Sequence, residues 1–155
     1  TVTMKGFAYA MSAAPMQTQI LKKNFFVEKI MPMAVKHPLA EEVMDHYREA
    51  LPTGQRRIGA AEFPRQLIDA SLWLGDLSDE VQDKLRNVPL LLTWGLHDLA
   101  FPRQYMDRFR EDFVRSQVCR LDAKHYIQED SPVEISAAIK DFLGSIPSTT
   151  SLASQ

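Results

Sequence analysis

The sequence predicts an α/β protein whose first half is all helical and whose second half is a βαβα portion of a parallel sheet. Three observations carry this prediction. Residues 1–85 place apolar side chains at helical spacing and contain no run with strand character. From Val88 the pattern alternates strand, helix, strand, helix. The first of those strands, Pro89-Leu-Leu-Leu-Thr-Trp94, is apolar at successive positions, as in a strand covered by helices on both faces.

Taken in order, residues 11–29 read as one helix, with Met16, Ile20, Leu21 and Phe25 on a common stripe, and Pro32 breaks the pattern. The next helix opens near Leu39, after His37-Pro38, carries Val43, Met44 and Tyr47, and stops at Leu51-Pro-Thr-Gly54. After a polar stretch over residues 55–61, Phe63-Pro64 opens a helix through Ile68, Leu72 and Trp73, the last as a packing residue. Gly54-Gln-Arg-Arg-Ile-Gly59 has the glycine spacing of a phosphate loop, but Ala60-Ala61 stand where Lys and Ser or Thr are needed. Strands follow at residues 89–94 and 118–122, and helices at 102–114 and 132–143. Two strands make an incomplete sheet, because each leaves backbone groups and apolar faces unpartnered. The predicted organisation is a helical domain over residues 1–85, a sheet portion over 86–146 and a disordered Ser/Thr-rich tail over 147–155.

With 45% hydrophobic and 25% charged residues, the chain has the composition of a globular domain. Its 18 Lys and Arg are interspersed with 20 Asp and Glu, so there is no electrostatic footprint for nucleic acid or an anionic membrane. A neutral small molecule suits this balance. No stretch reaches the ~18 apolar residues of a membrane span. The Met4–Pro15 stretch has the lysine and small residues of a leader, yet its helical pattern continues through Ile20, Leu21 and Phe25. The lone Cys119, read as a buried strand residue, excludes an internal disulfide and fits a reducing, cytoplasmic compartment.

Chemistry is signalled where each strand ends. Trp94-Gly-Leu-His-Asp98 follows the first, and Asp122-Ala-Lys-His125 follows the second. A carboxylate and an imidazole on loops after consecutive parallel strands can converge, with the acid orienting the base, as in a catalytic triad. Asp98 and His125 are therefore the candidate pair. His97 is read as solvated, and Glu129 and Asp130 as the start of the last helix, where carboxylates meet the helix dipole favourably. His37 and His46 lack the companion ligands of a metal site, so no metal and no cofactor are expected. The chain contains no Gly-x-Ser-x-Gly, nor its variants centred on Asp or Cys, to supply a nucleophile.

Asn24-Phe-Phe-Val-Glu28, Met31-Pro32, His37-Pro-Leu39 and Met44-Asp-His-Tyr-Arg-Glu49 together resemble the cap domain of haloalkane dehalogenases. Trp94-Gly-x-x-Asp98 and His125-Tyr-Ile-Gln-Glu-Asp-Ser-Pro132 resemble the end of their α/β-hydrolase core. The resemblance covers residues 8–145 and implies an incomplete α/β-hydrolase fold, a helical cap followed by the last two strands of the parallel core. In that family an aspartate displaces halide to give an alkyl-enzyme ester, and a histidine activates the water that hydrolyses it. The histidine matches His125, and Asp98 matches the acid in those subfamilies that keep it on this strand. The resemblance points to Phe26, Met33, Ala34, Val35 and Leu99 as lining for a small apolar halogenated substrate. The nucleophile and halide-stabilising positions have no counterpart, so the chain is expected to need the missing N-terminal half and to be inactive alone.

Two other readings remain open at this point. An epoxide hydrolase shares the aspartate and histidine but requires tyrosine donors, for which Tyr9 and Tyr47 are the candidates. A helical binding module would instead use an unpaired strand edge or an exposed helical face to join a partner.

Overall fold

Proline and asparagine, rather than apolar periodicity, set the boundaries in the first half. In the computed structural model, which describes residues 2–146, the predicted helix over 11–29 is divided. Helix α1 spans Val2–Ser12 and α2 spans Ala14–Lys23, with Ala13 extended between them. Pro15 lies in the first turn of α2, where its missing N–H is no loss. Asn24 ends α2 in the left-handed region (φ 49°, ψ 46°), which asparagine tolerates better than other side chains. A π-turn over Phe26–Ile30 follows, closed by the Met31 N–H to the Phe26 carbonyl, and runs directly into α3 (Met31–Ala34). Pro32, expected to break the pattern, sits instead in the first turn of α3, and the chain leaves the helix at Val35.

Helix α4 (Glu41–Ala50) lies within two residues of its predicted limits. Its Arg48 grips both oxygens of Glu28 on the π-turn, at 2.9 and 3.2 Å, and also pairs with Glu41 and Asp45 at 2.7 Å each. Glu28 foremost, then Glu41 and Asp45, holds the guanidinium well above its ordinary range, so it stays charged. Helix α5 (Ile58–Asp69) starts earlier than the Phe63-Pro64 signal suggests, and Pro64 lies inside it with its ring fully buried. Helix α1 packs along α5, and the Gln17 amide bridges the Met11 and Ala61 carbonyls at 2.8 Å each. The core here comprises Ala8, Ile20, Val27, Met31, Val35, Met44, Ala61 and Pro64. Helix α6 (Ser71–Leu85) presents Leu72 and Trp73 to solvent, 86% and 62% exposed, so Trp73 is not the packing residue its sequence context suggests.

The chain divides into two compact units that meet in sequence at Val81 and Gln82, inside α6. In the second, β1 (Leu90–Gly95) and β2 (Ser116–Leu121) pair in parallel, from Leu90 opposite Ser116 to Gly95 opposite Leu121. They are joined by α7 (Arg103–Asp112) and followed by the single turn α8 (Ile127–Asp130) and by α9 (Pro132–Ser145), which packs on both strands. Leu92, Met106, Phe113, Leu121 and Ala123 form the core. On β1 only Leu92 and Gly95 are buried, and the other four residues are half-buried. The expected burial of both faces is not reached because, among the described residues, the sheet has two strands and β1 has a neighbour on one side. Cys119 is half-buried on β2, also short of the expected burial. No described helix is long and apolar enough to cross a membrane. The tail over residues 147–155 lies outside the described residues.

Candidate active site

The strands place two loops side by side, residues 95–101 after β1 and 122–126 after β2. Their close approach requires the glycine that ends β1. A Cβ on Gly95 would lie 2.2 Å from the Lys124 carbonyl oxygen and 2.8 Å from that of Ala123, distances real Cβ atoms do not adopt. With no side chain in the way, the parallel pairing continues past the strands. The Leu96 N–H donates to the Leu121 carbonyl at 2.9 Å and the His97 N–H to the Ala123 carbonyl at 3.0 Å.

On this frame Asp98 and His125 meet. Asp98 Oδ2 lies 2.9 Å from His125 Nδ1, with the Asp98 side chain 9% exposed and that of His125 36%. The other oxygen, Oδ1, accepts the Ala100 and Phe101 N–H groups at 2.7 and 3.1 Å. Asp98 thus does not cap α7, which Pro102 precedes without a side-chain cap, but closes its own turn with one oxygen and receives the imidazole with the other. A carboxylate only accepts, so the shared proton sits on Nδ1 and neutral His125 carries its lone pair on Nε2. Among the described residues no hydrogen bond occupies that nitrogen. The arrangement can therefore take a proton from a water or a nucleophile presented to Nε2, and the carboxylate stabilises the imidazolium that forms.

Neighbouring rings hold the imidazole plane. Phe101 stacks on His125 at 5.5 Å between centroids and 28° between planes, and Tyr126 meets it edge-on at 5.3 Å and 88°. Phe101 is held in turn by the Trp94 indole, whose Nε1–H donates to the Phe101 carbonyl at 2.9 Å. Burial pushes the Tyr126 hydroxyl above its ordinary value of 10.0, so it stays protonated. Behind the histidine, Asp130 Oδ2 accepts the Lys124 N–H at 2.8 Å. Glu129 and Asp130 lie in α8, one turn ahead of the last helix they were expected to open, and Asp130 braces the histidine loop. His97, expected to be merely solvated, bonds Asp122 through Nε2 at 2.8 Å. None of these supports is evident from sequence alone except Gly95, whose place directly after an apolar strand is a signal for close backbone approach.

The other predicted site residues are distributed as follows. Leu99 follows Asp98 and is 92% exposed. Phe26, Met33, Ala34 and Val35 belong to the first unit, where Val35 is buried, Phe26 and Ala34 are half-buried and Met33 is 65% exposed. Met33 lines a groove of about 540 Å³ there with Phe25, Pro32 and Lys23. Among the described residues no cluster of three or more His, Cys, Asp or Glu could hold a metal ion.

Comparison with known proteins points in one direction. No protein-family model matches the chain. Over 146 residues it is 41% identical to haloalkane dehalogenase 2 of Mycobacterium tuberculosis, covering 93% of this chain and 51% of that protein. It is 29% identical to a haloalkane dehalogenase of Bradyrhizobium diazoefficiens, covering 84% of this chain and 44% of that protein. The crystal structure of haloalkane dehalogenase DbeA from Bradyrhizobium elkani superimposes with a TM-score of 0.78 at 24% identity, covering 90% of this chain and 50% of that one, a likeness of fold. The chain is therefore a homologue of the haloalkane dehalogenases with part of the α/β-hydrolase fold, and it spans about half the length of the curated relatives it matches.

Proposed function

We propose that this chain carries the acid and the base of a haloalkane dehalogenase-type hydrolase, with its helical unit as the cap. The observation that carries the reading is the 2.9 Å contact between the largely buried Asp98 carboxylate and His125 Nδ1. A carboxylate nucleophile, which this sequence does not supply in a recognisable elbow, attacks the carbon bearing the halogen. Halide leaves and an alkyl ester forms. His125 Nε2 then takes a proton from water as the water oxygen attacks the ester carbonyl. Collapse of that adduct releases the alcohol and restores the carboxylate, and the proton leaves His125 to solvent. Asp98 holds the imidazole in the tautomer this step needs and balances its charge. A small apolar halogenated alkane is the proposed substrate; Phe26, Met33 and Ala34 of the helical unit and Leu99 beside Asp98 are apolar side chains accessible to it, whereas Val35 lies in the core of its unit. An apolar lining excludes water and strengthens the electrostatic interactions at the ester.

Because members of such an ensemble act as a unit, the chain by itself is expected to be inactive. The test is halide release from short bromoalkanes, with the chain alone and after mixing with the N-terminal half of a related dehalogenase. Release only from the mixture, lost in His125→Ala and reduced on the order of 10⁴-fold in Asp98→Asn, is the expected result. Halide release by the chain alone that His125→Ala abolishes would refute its dependence on a second half. A mixture that is folded and associated but inactive would refute the dehalogenase assignment.

A further inference from the structure

The two loops are linked by a second histidine–aspartate pair that the proposed chemistry does not use. His97 Nε2 lies 2.8 Å from Asp122 Oδ1, while Asp98 and His125 make the functional contact at 2.9 Å. The pairs are crossed. The loop after β1 gives histidine to one and aspartate to the other, and the loop after β2 does the reverse. Between them run the backbone bonds from Leu96 to Leu121 and from His97 to Ala123.

We propose that His97 and Asp122 form a clasp that positions Asp98 against His125, an inference that rests on reading Asp98 and His125 as acid and base. On the second loop, Asp122 lies one residue before the backbone bond at Ala123 and His125 two residues after it. The segment past Ala123 is held on its own side by the Lys124 N–H to Asp130 Oδ2 bond at 2.8 Å, and the segment before it by the Leu96 N–H to Leu121 carbonyl bond at 2.9 Å. The clasp adds a side-chain tie at His97, the residue directly before Asp98, and so fixes how far the Asp98 carboxylate stands from the imidazole on the second loop. The clasp is not a packing element, since the His97 and Asp122 side chains are 58% and 69% exposed. It adds little to overall stability for the same reason. A carboxylate accepts only, so His97 Nε2 is the donor, and a side chain that donates from the same place can replace it. His97 and Asp122 are thus positioning residues that act through Asp98 and His125.

The test reads the hydrogen bond itself in the intact chain. The His125 Nδ1 proton is observed as a low-field proton resonance, assigned by its loss in His125→Gln. Its exchange with water is then measured in wild type, His97→Ala and His97→Gln, with far-UV circular dichroism and Tm recorded for each. The expected result is exchange faster by about fivefold in His97→Ala, the size a surface pair supports, with wild-type exchange in His97→Gln and little change in Tm. Unchanged exchange in His97→Ala, or equal acceleration in both variants, overturns the clasp while leaving the acid–base pair standing. Absence of the resonance in wild type overturns both.

Discussion

Single residues decide whether the two loops meet at all, and Gly95 is the most demanding of them. A methyl group there would overlap the Lys124 and Ala123 carbonyl oxygens, which are backbone atoms and not the ends of flexible side chains that could give way. Gly95→Ala therefore has to push residues 123–124 off the end of β1. That strains the bonds from Leu96 and His97 and withdraws His125 from Asp98. Overpacking of this kind costs about 1–3 kcal/mol. The expected outcome is a lower midpoint in urea with an unchanged m-value, accompanied by loss of the His125 Nδ1 proton resonance. A midpoint equal to wild type would mean that the loop has room the geometry denies it. Asp98 and His125 were singled out in the sequence because a carboxylate and an imidazole on loops after consecutive parallel strands can converge. Their supports were not, because nothing in the sequence separates His97 and Asp122, on the same two loops, from solvated side chains until the strand register brings them together.

At the scale of elements, the parallel strands, α7 and α9 were legible from the alternation of apolar runs with helical stretches, and α4 from its flanking proline and glycine signals. The breaks in the first helix were not, for a local reason. Asn24 serves where glycine is the usual signal, and the π-turn after it leaves the apolar spacing nearly intact. Pro64 was misleading because its ring is welcome in the core, and burial there outweighs the bond its nitrogen cannot make. What holds these irregular joints together is Arg57, at the N-terminus of α5. Its guanidinium donates to the Leu51 carbonyl at 2.7 Å, the Leu21 carbonyl at 3.0 Å and the Pro52 carbonyl at 3.0 Å. It thereby ties the last turn of α2 to the segment between α4 and α5. Arg57→Ala leaves three carbonyls to find other donors and is expected to destabilise the helical unit by about 2–3 kcal/mol. Arg57→Lys, with a single ammonium in place of a planar fork, should recover only part of this. Urea titration followed by circular dichroism at 222 nm checks both, and an Arg57→Ala midpoint equal to wild type would show that the fork carries no net stabilisation.

For the whole molecule, the described sheet has two strands while the chain spans about half of the relatives it matches. A parallel pair with α9 against it satisfies one ladder and leaves an outward ladder on each strand. Large apolar side chains are exposed in the same chain, among them Leu72 at 86%, Val133 at 76%, Trp73 at 62% and Leu143 at 62%. The net charge of −2 offers little repulsion against association. These conditions favour pairing of strand edges and of apolar faces between molecules, so the isolated chain is expected to self-associate. In sedimentation velocity its average mass should rise above 17.7 kDa with concentration across the micromolar range. Leu72→Lys with Trp73→Glu should reduce that rise by removing apolar area, without shifting the urea midpoint, because both side chains are exposed. The complementing half of a related dehalogenase should suppress it further, because strand edges are satisfied only by other strands. A chain that stays at 17.7 kDa throughout, with its outer ladders protected from hydrogen exchange, would place the missing partners of β1 and β2 within this chain and remove the physical need for a second half.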